Sequence, residues 1–372
     1  MSGPHPVRRL SVAAVIIMLL SLLVVPQTRA EPIGDYFFER TWERTDRPVA
    51  ELRVSRTWMW GPEPFTDAFY EQYVDASLGE RRVQYFDKSR MEINNSASSD
   101  SIWYVTNGLL AKELITGQAQ LGDDVFEPYF PANVNVAGDP NDPNAPTYQS
   151  FSALMGYAAL PAGWVIMQTV DRAGAVGTDE SLGSYGVTTV DVGAPTQHTV
   201  ASVFWDFMNS VGLVYDGYAY ETAPLFENPF YATGYPLTEA YWAHVLVGGQ
   251  DRLVLTQVFE RRVLTYTPDN PDGWKVEAGN VGRHYYQWRY HDIPGSRENP
   301  VPIGQERPVS EGWRLAVLSV TPNANAIVAE ENQFNDPPEP GKQFFMARVS
   351  ATYTGPGSST VASLTPAAIG PA

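Results

Sequence analysis

Five histidines, at positions 5, 198, 244, 284 and 291, are the side chains of this 372-residue chain best suited to moving protons near neutral pH. His284 and His291 stand seven apart in RHYYQWRYH, which on one helix face separates them by about 10 Å at ~1.5 Å per residue. That is too far for one shared ion, so both are expected at the surface. The absence of cysteine excludes thiolate nucleophiles, thiolate zinc sites and disulfide frameworks together. No Gly-x-Ser-x-Gly, Ser-x-x-Lys or His-Glu-x-x-His pattern occurs. Forty-two acidic residues supply many carboxylate pairs of the kind that hydrolyse glycosides, but sequence does not report their separation. Asp139 and Asp142, in the loop GDPNDPNAPTY, offer oxygen ligands that would suit calcium, although the closing glutamate of a calcium loop is missing. A rigid turn is the simpler expectation there. Aromatic chemistry is the richer prospect, because sugars present apolar C–H faces that a tryptophan or tyrosine ring can cover. Trp58 and Trp60 alternate in RTWMWGP, and Tyr285 and Trp288 follow helical spacing in HYYQWRY. These four are the candidate ligand-binding residues.

The elements that must position them begin after a leader. Residues 1–30 combine a basic start, the sixteen-residue apolar run LSVAAVIIMLLSLLVV and a terminal PQTRA, as secretory signals do. Cleavage after Ala30 is expected, and only an uncleaved run would make the membrane a partner. Arg8, Arg9 and Arg29 leave with the leader, so 22 basic residues face 42 acidic ones and the mature charge is −20. Nucleic acid is excluded as a partner on that balance. Thirty glycines and thirty prolines favour many short elements over long helices.

The stretch VQYFDKSRMEI, residues 83–93, runs from a strand pattern into charge, and it recurs. Gln84, Phe86, Asp87 and Lys88 correspond to Gln257, Phe259, Glu260 and Arg261 at an offset of 173. Upstream PFTDAFY (64–70) matches PLTEAYW (236–242), and downstream WYVTNGLLAK (103–112) matches WKVEAGNVGR (274–283). Thr66 and Thr238, each followed by an acid, have the form of helix N-caps. The Gln-x-Phe core suits a hairpin, and the spacing of Leu110 and Leu114, with Gly117 as C-cap, and of Val281, Tyr285 and Trp288 predicts a closing helix. The expected unit is helix, hairpin, helix, with Asp87–Lys88 and Glu260–Arg261 as exposed ion pairs on scaffolding.

The Gly234, Pro236, Thr238, Glu239 opening, the Gln-x-Phe core and the trailing Val-x-x-Gly resemble repeat modules of uncharacterised secreted bacterial proteins, some beside cell-wall hydrolases. More distantly they resemble LGFP repeats of envelope-associated proteins. The first copy departs from that pattern, with Trp60-Gly61-Pro62-Glu63-Pro64 in place of the tighter Gly-Tyr-Pro. Farther on, Trp313 and the Asn332 to Pro337 loop resemble the first half of an immunoglobulin-like domain of unknown function. Only about sixty residues remain for a sandwich that needs about 100.

The expected fold is α+β: two diverged helix-hairpin-helix repeats, an intervening β-rich segment, and a partial C-terminal β-sandwich. The boundaries are 1–30 for the signal, 31–137 for module one, 138–197 for the connecting segment and 198–291 for module two. A linker (292–312) and an immunoglobulin-like segment with a disordered tail (313–372) complete the chain. HTVASVFWDFMNS (198–210) predicts an amphipathic helix burying Val200, Val203 and Phe207. The resemblance and the aromatic surface together imply an exported, non-catalytic cell-envelope protein. It would bind a cell-wall or extracellular glycan, or another envelope protein, with no cofactor unless calcium. The alternative is a carboxylate-dependent glycan hydrolase.

Overall fold

The computed structural model describes residues 31–295, 299–310, 313–331 and 334–355. The leader 1–30, Asn332 and the expected disordered tail from 356 onward lie outside the described residues. The chain is mixed α and β with several sheets. Among the described residues no helix is long and apolar enough to cross a membrane.

Strands Phe69–Gln72, Glu80–Tyr85, Arg90–Ile93 and Val105–Asn107 form an antiparallel meander in chain order. Strands Tyr241–Val247, Gln250–Val258, Val263–Tyr266 and Val276–Ala278 form another with the same order. Period-2 alternation explains both, since Val83 and Tyr85 bury one face while Gln84 and Phe86 bury the other. A helix closes each meander, Leu110–Thr116 in the first and Val281–Gln287 in the second. Gly117 ends the former at φ 68°, with its N–H donating to the Glu113 carbonyl at 2.8 Å. The connecting segment adds the hairpin Gln168–Val170 and Val176–Thr178 to the second sheet, where Thr169 pairs in parallel with Trp242.

The helices expected after Thr66 and Thr238 do not form. Pro64 bridges to Phe86 and Pro236 to Phe259, so each Pro-x-Thr segment is tied to a strand end, bends after the Pro and then runs into the next strand. The Thr66 hydroxyl accepts from the Tyr85 N–H at 3.1 Å instead of capping a helix. Tertiary pairing overrides local cap preference here. The two glutamines hold this arrangement with one hydrogen-bond pattern. Gln84 donates to the carbonyls of Pro32 and Thr66 and accepts from the Gly34 N–H. Gln257 donates to the carbonyls of Thr199 and Thr238 and accepts from the Ala201 N–H. The segments so clamped lead into the helices that do open the units, Tyr36–Thr45 and Ser202–Met208. Each unit is therefore helix, four strands, helix. In Ser202–Met208 the buried side chains are Phe204 and Met208, with Val203 and Phe207 only partly covered, while Val200 is buried from the strand Val200–Ala201 that precedes the helix.

The units stack in layers. Helix Tyr36–Thr45 covers the outer face of the first sheet through Phe38, and Ser202–Met208 covers the outer face of the second through Phe204. Both closing helices lie in the core shared by the two inner faces, where Val83 and Leu114 join Val258 and Tyr285. The turn of each unit caps the start of the other's closing helix. Gly282 donates its N–H to the Asp87 carbonyl at 3.0 Å, and Lys112 donates its N–H to the Glu260 carbonyl at 2.9 Å. The side chains repeat the exchange, Arg283 meeting Asp87 at 2.6 Å and Lys112 meeting Glu260 at 3.5 Å. The acid-base neighbours Asp87–Lys88 and Glu260–Arg261 are thus not ion pairs with each other. Lys88 donates to the Asn280 side chain and Arg261 to the Asn107 carbonyl.

The last described part is an antiparallel sheet of Arg307–Ser310, Trp313–Thr321 and Met346–Tyr353, with helix Asn325–Glu331 between the second and third strands. Arg307, inside the expected linker, lies in a strand and meets the Glu127 carboxylate at 3.1 Å.

A methyl group on Gly282 would lie 1.9 Å from the Phe86 carbonyl oxygen, inside any van der Waals contact. Gly282→Ala should therefore lower unfolding free energy by more than about 2 kcal/mol, as overpacking against backbone does. Gly156→Ala, which meets nothing within 4 Å, should stay within about 0.5 kcal/mol. Urea denaturation of the two variants decides it, and equal midpoints would refute the close approach. Asp87→Ala should cost at most about 1 kcal/mol, because the Arg283 partner is half exposed and the capping carbonyl remains.

Candidate functional site

Asp46, just past helix Tyr36–Thr45, is fully buried and accepts the backbone N–H groups of Met59, Trp60 and Gly61 at 2.7 to 3.0 Å. Burial pushes its carboxyl up, opposed by those three amides and by the Arg262 charge. Arg262, at the second unit's turn, is buried too and donates to the carbonyls of Met59 and Ala232 and to the Asn107 side chain. Burial brings its guanidinium down to about 10. Segment 59–61 is held by an anion on its N–H groups and a cation on a carbonyl, and the same guanidinium lies 4.9 Å from the Trp60 ring centroid. Trp60 is thereby fixed where the two units meet.

Over this floor opens a cavity of about 230 Å³. Helix Tyr36–Thr45 supplies one wall, because Arg40 and Arg44, and Thr41 and Thr45, recur at i, i+4 on one face. Segment 100–105 and segment 225–232 supply the others, with Tyr215 and Asp216 at the rim. The walls are tied together. Arg40 donates to the Ser99 carbonyl at 3.1 Å, Tyr231 to the Val105 carbonyl at 2.7 Å, and Arg44 to the Pro224 carbonyl at 2.9 Å. Arg44 also faces the Glu227 carboxylate at 3.9 Å. Burial pushes the Tyr231 phenol well above its usual range. The amides of Ala219 and Tyr218 hold the Asp216 carboxyl below its usual range, so it stays ionised at neutral pH. The hydroxyl of Thr45 is buried and has no hydrogen-bond partner. Chemically the cavity offers the partly exposed rings of Tyr215 and Tyr231, guanidinium donors and carboxylate acceptors.

Of the sequence candidates, Trp60 lies at this cavity but is 2% exposed with Arg262 against its ring, so it forms the floor and presents no open face. Trp58 is half-buried and does not line it. Tyr285 and Trp288 are buried in the shared core, and the Tyr285 hydroxyl donates to Glu113 at 2.5 Å, so their rings present no face to solvent. The Asp139 oxygens accept from Gly248 and Gly249, and Asp142 accepts from Asn144 and Leu246. Both carboxylates thus fasten the loop to the hairpin turn at Val247–Gln250. Among the described residues no group of three or more His, Asp or Glu side chains could hold a metal ion. His284 is half-buried rather than at the surface, its Nδ1 3.0 Å from the Tyr148 hydroxyl. Sequence reasoning missed Arg40, Arg44, Thr45, Tyr231 and Arg262. The i, i+4 pairs in ERTWERT were readable, but what they face was not. No known protein family, curated protein or solved structure matches this chain.

Asp46→Ala should cost more than about 3 kcal/mol, since it strands three buried amides and removes the charge facing Arg262. Wild-type stability in its thermal unfolding would contradict the clamp. Burial, with a smaller contribution from Lys88, brings His284 down to about 4, against about 6.5 in the unfolded chain. Between those values the unfolded chain binds the proton and the folded one does not, so this residue makes stability fall as pH drops from 6.5 to 4. His284→Phe should flatten that part of the wild-type curve, as read from urea midpoints at pH 7, 5.5 and 4.5. Identical slopes would refute it.

Proposed function

We propose that this is an exported, non-catalytic protein of the cell envelope that binds a cell-wall or extracellular glycan in the cleft between its two units. The units are taken as diverged copies of one module, on the shared order of helix, four strands and helix and the matching roles of Gln84 and Gln257. The three-strand sheet after residue 306 is taken as part of an immunoglobulin-like segment. The observation that carries the binding role is the composition of the cleft. The partly exposed rings of Tyr215 and Tyr231 stand beside guanidinium donors and carboxylate acceptors, which is what a neutral ring bearing hydroxyls needs.

The carboxylates of Asp100 and Glu227 in the same cleft favour a second reading, carboxylate-dependent glycan hydrolysis. The two separate by product. Retention of the full chain on isolated cell-wall polysaccharide with no new reducing ends is expected, and Arg40→Ala should weaken retention at least about fivefold, near 1 kcal/mol. Release of reducing ends that stops in both Asp100→Asn and Glu227→Gln would overturn binding in favour of hydrolysis. Retention on envelope protein after the polysaccharide is removed would put a protein partner in its place.

A further inference from the structure

Resting on the glycan reading, we infer that the site continues past the cavity onto Trp103 and holds two adjoining sugar residues of one chain, the second lying on that indole ring. The cavity, about 230 Å³, is smaller than the roughly 300 to 1,000 Å³ typical of sites for drug-sized ligands, so it takes about one sugar ring and leaves the next on the surface beside it. Trp103 is placed there. Ser101 and Ile102, just before it, line the cavity, and its ring centroid lies 5.7 Å from that of Tyr231, which lines the cavity from segment 225–232. Trp103 itself is not part of the lining. Adjoining rings of one glycan can therefore meet the two side chains in turn.

The indole is open as well as near. Of the ten tryptophans only Trp103 and Trp164 are exposed, at 38% and 51%. Trp164 stands in the connecting segment, where the Thr189 hydroxyl accepts its backbone N–H, and it lines no part of the cavity. Trp42, Trp242 and Trp274 donate their indole N–H to acceptors in the protein, whereas among the described residues nothing accepts that of Trp103. An exposed apolar ring with a donor at its edge matches a sugar, which pairs a C–H face with hydroxyls.

The backbone under the ring is held before any ligand arrives. The Ser101 hydroxyl caps the turn Ile102–Tyr104 by accepting the Trp103 N–H at 3.1 Å, and the Asn94 side chain donates to the Trp103 carbonyl at 3.3 Å. Tyr104 packs edge-on to Phe37, ring centroids 4.6 Å apart, which ties the turn to the helix that walls the cavity. A platform fixed in advance loses little freedom on binding. Tyr218, another exposed ring near the rim, packs against no aromatic ring among the described residues.

The probes are monosaccharides and disaccharides released from isolated cell-wall polysaccharide, titrated calorimetrically into the full chain. The disaccharide should bind at least about tenfold more tightly than its component sugars. Trp103→Ala should remove that gain and leave monosaccharide affinity and melting temperature unchanged, because the ring is exposed. Trp103→Phe, which keeps a flat apolar face, should retain most of the gain, and Tyr218→Ala all of it. A disaccharide that binds no better than single sugars, or a gain that survives Trp103→Ala, overturns the second sugar position and leaves glycan binding intact. Equal losses in the Ala and Phe variants overturn stacking on the ring. Loss of the gain in Tyr218→Ala alone places the second sugar at Tyr218 and overturns the assignment to Trp103. Binding of neither probe removes the glycan reading itself and this inference with it.

Discussion

The first amides of a helix have no partner within the helix, and in this protein each closing helix takes one from the other unit. Gly282 and Lys112 donate to the carbonyls of Asp87 and Glu260, which lie in turns made by strands of the opposite sheet. Neither helix start is satisfied by its own unit. The exchange presses the turns so close to the helices that glycine is required at 282, while Ala111 occupies the corresponding place in the first unit and is fully buried. It also brings the carbonyls of Met59 and Ala232, which precede matching glycines at 61 and 234, to one guanidinium. The cleft lies over that junction, so its floor depends on the two units being docked.

Two sheets with one strand order stabilise their inner faces differently. In the first, Arg90 is buried among Glu71 and Glu92, with the Tyr85 hydroxyl at 3.0 Å and Glu113 nearby. Burial pushes the Glu113 carboxyl up. The places that correspond to Glu71, Tyr85 and Arg90 in the second sheet are Ala243, Val258 and Val263, all buried and apolar. Buried ions add little net stability over an apolar core, but removing one partner leaves a charge in low dielectric. The first sheet is consequently held to one arrangement by its ions and the second by shape. Clustered carboxylates around Arg90 do not make an accessible acid-base pair, because Arg90, Glu92 and Glu113 are all buried.

The same contrast governs the aromatic residues. A chain of this aromatic content spends most of its rings on packing, as with Tyr85 stacked on Tyr285 and Tyr129 edge-on to Trp288. Of the rings that reach the cleft, Trp60, Phe226 and Tyr231 come from segments outside helices and strands, and Tyr215 from the end of strand Val211–Tyr215.

What the sequence determined by itself was local or periodic. The alternation around Gln84 and Gln257 specified strands, and the spacing of Leu110 and Leu114 with Gly117 specified a helix and its end. Each depends on neighbours within a few residues. The tertiary structure decided the rest. Thr66 and Thr238 carry a cap signature that loses to strand pairing with Phe86 and Phe259. Asp87 and Glu260 stand beside a base in sequence yet bond 196 residues ahead and 148 residues back, because adjacent side chains diverge while docked units converge. Tyr285 and Trp288 share the helical spacing of a surface platform and of a core stripe, and only the first unit packing against them, through Tyr85, Glu113 and Tyr129, makes them core. Burial and the walls of the cleft are properties of chain segments far apart in sequence, so no local pattern could encode them legibly.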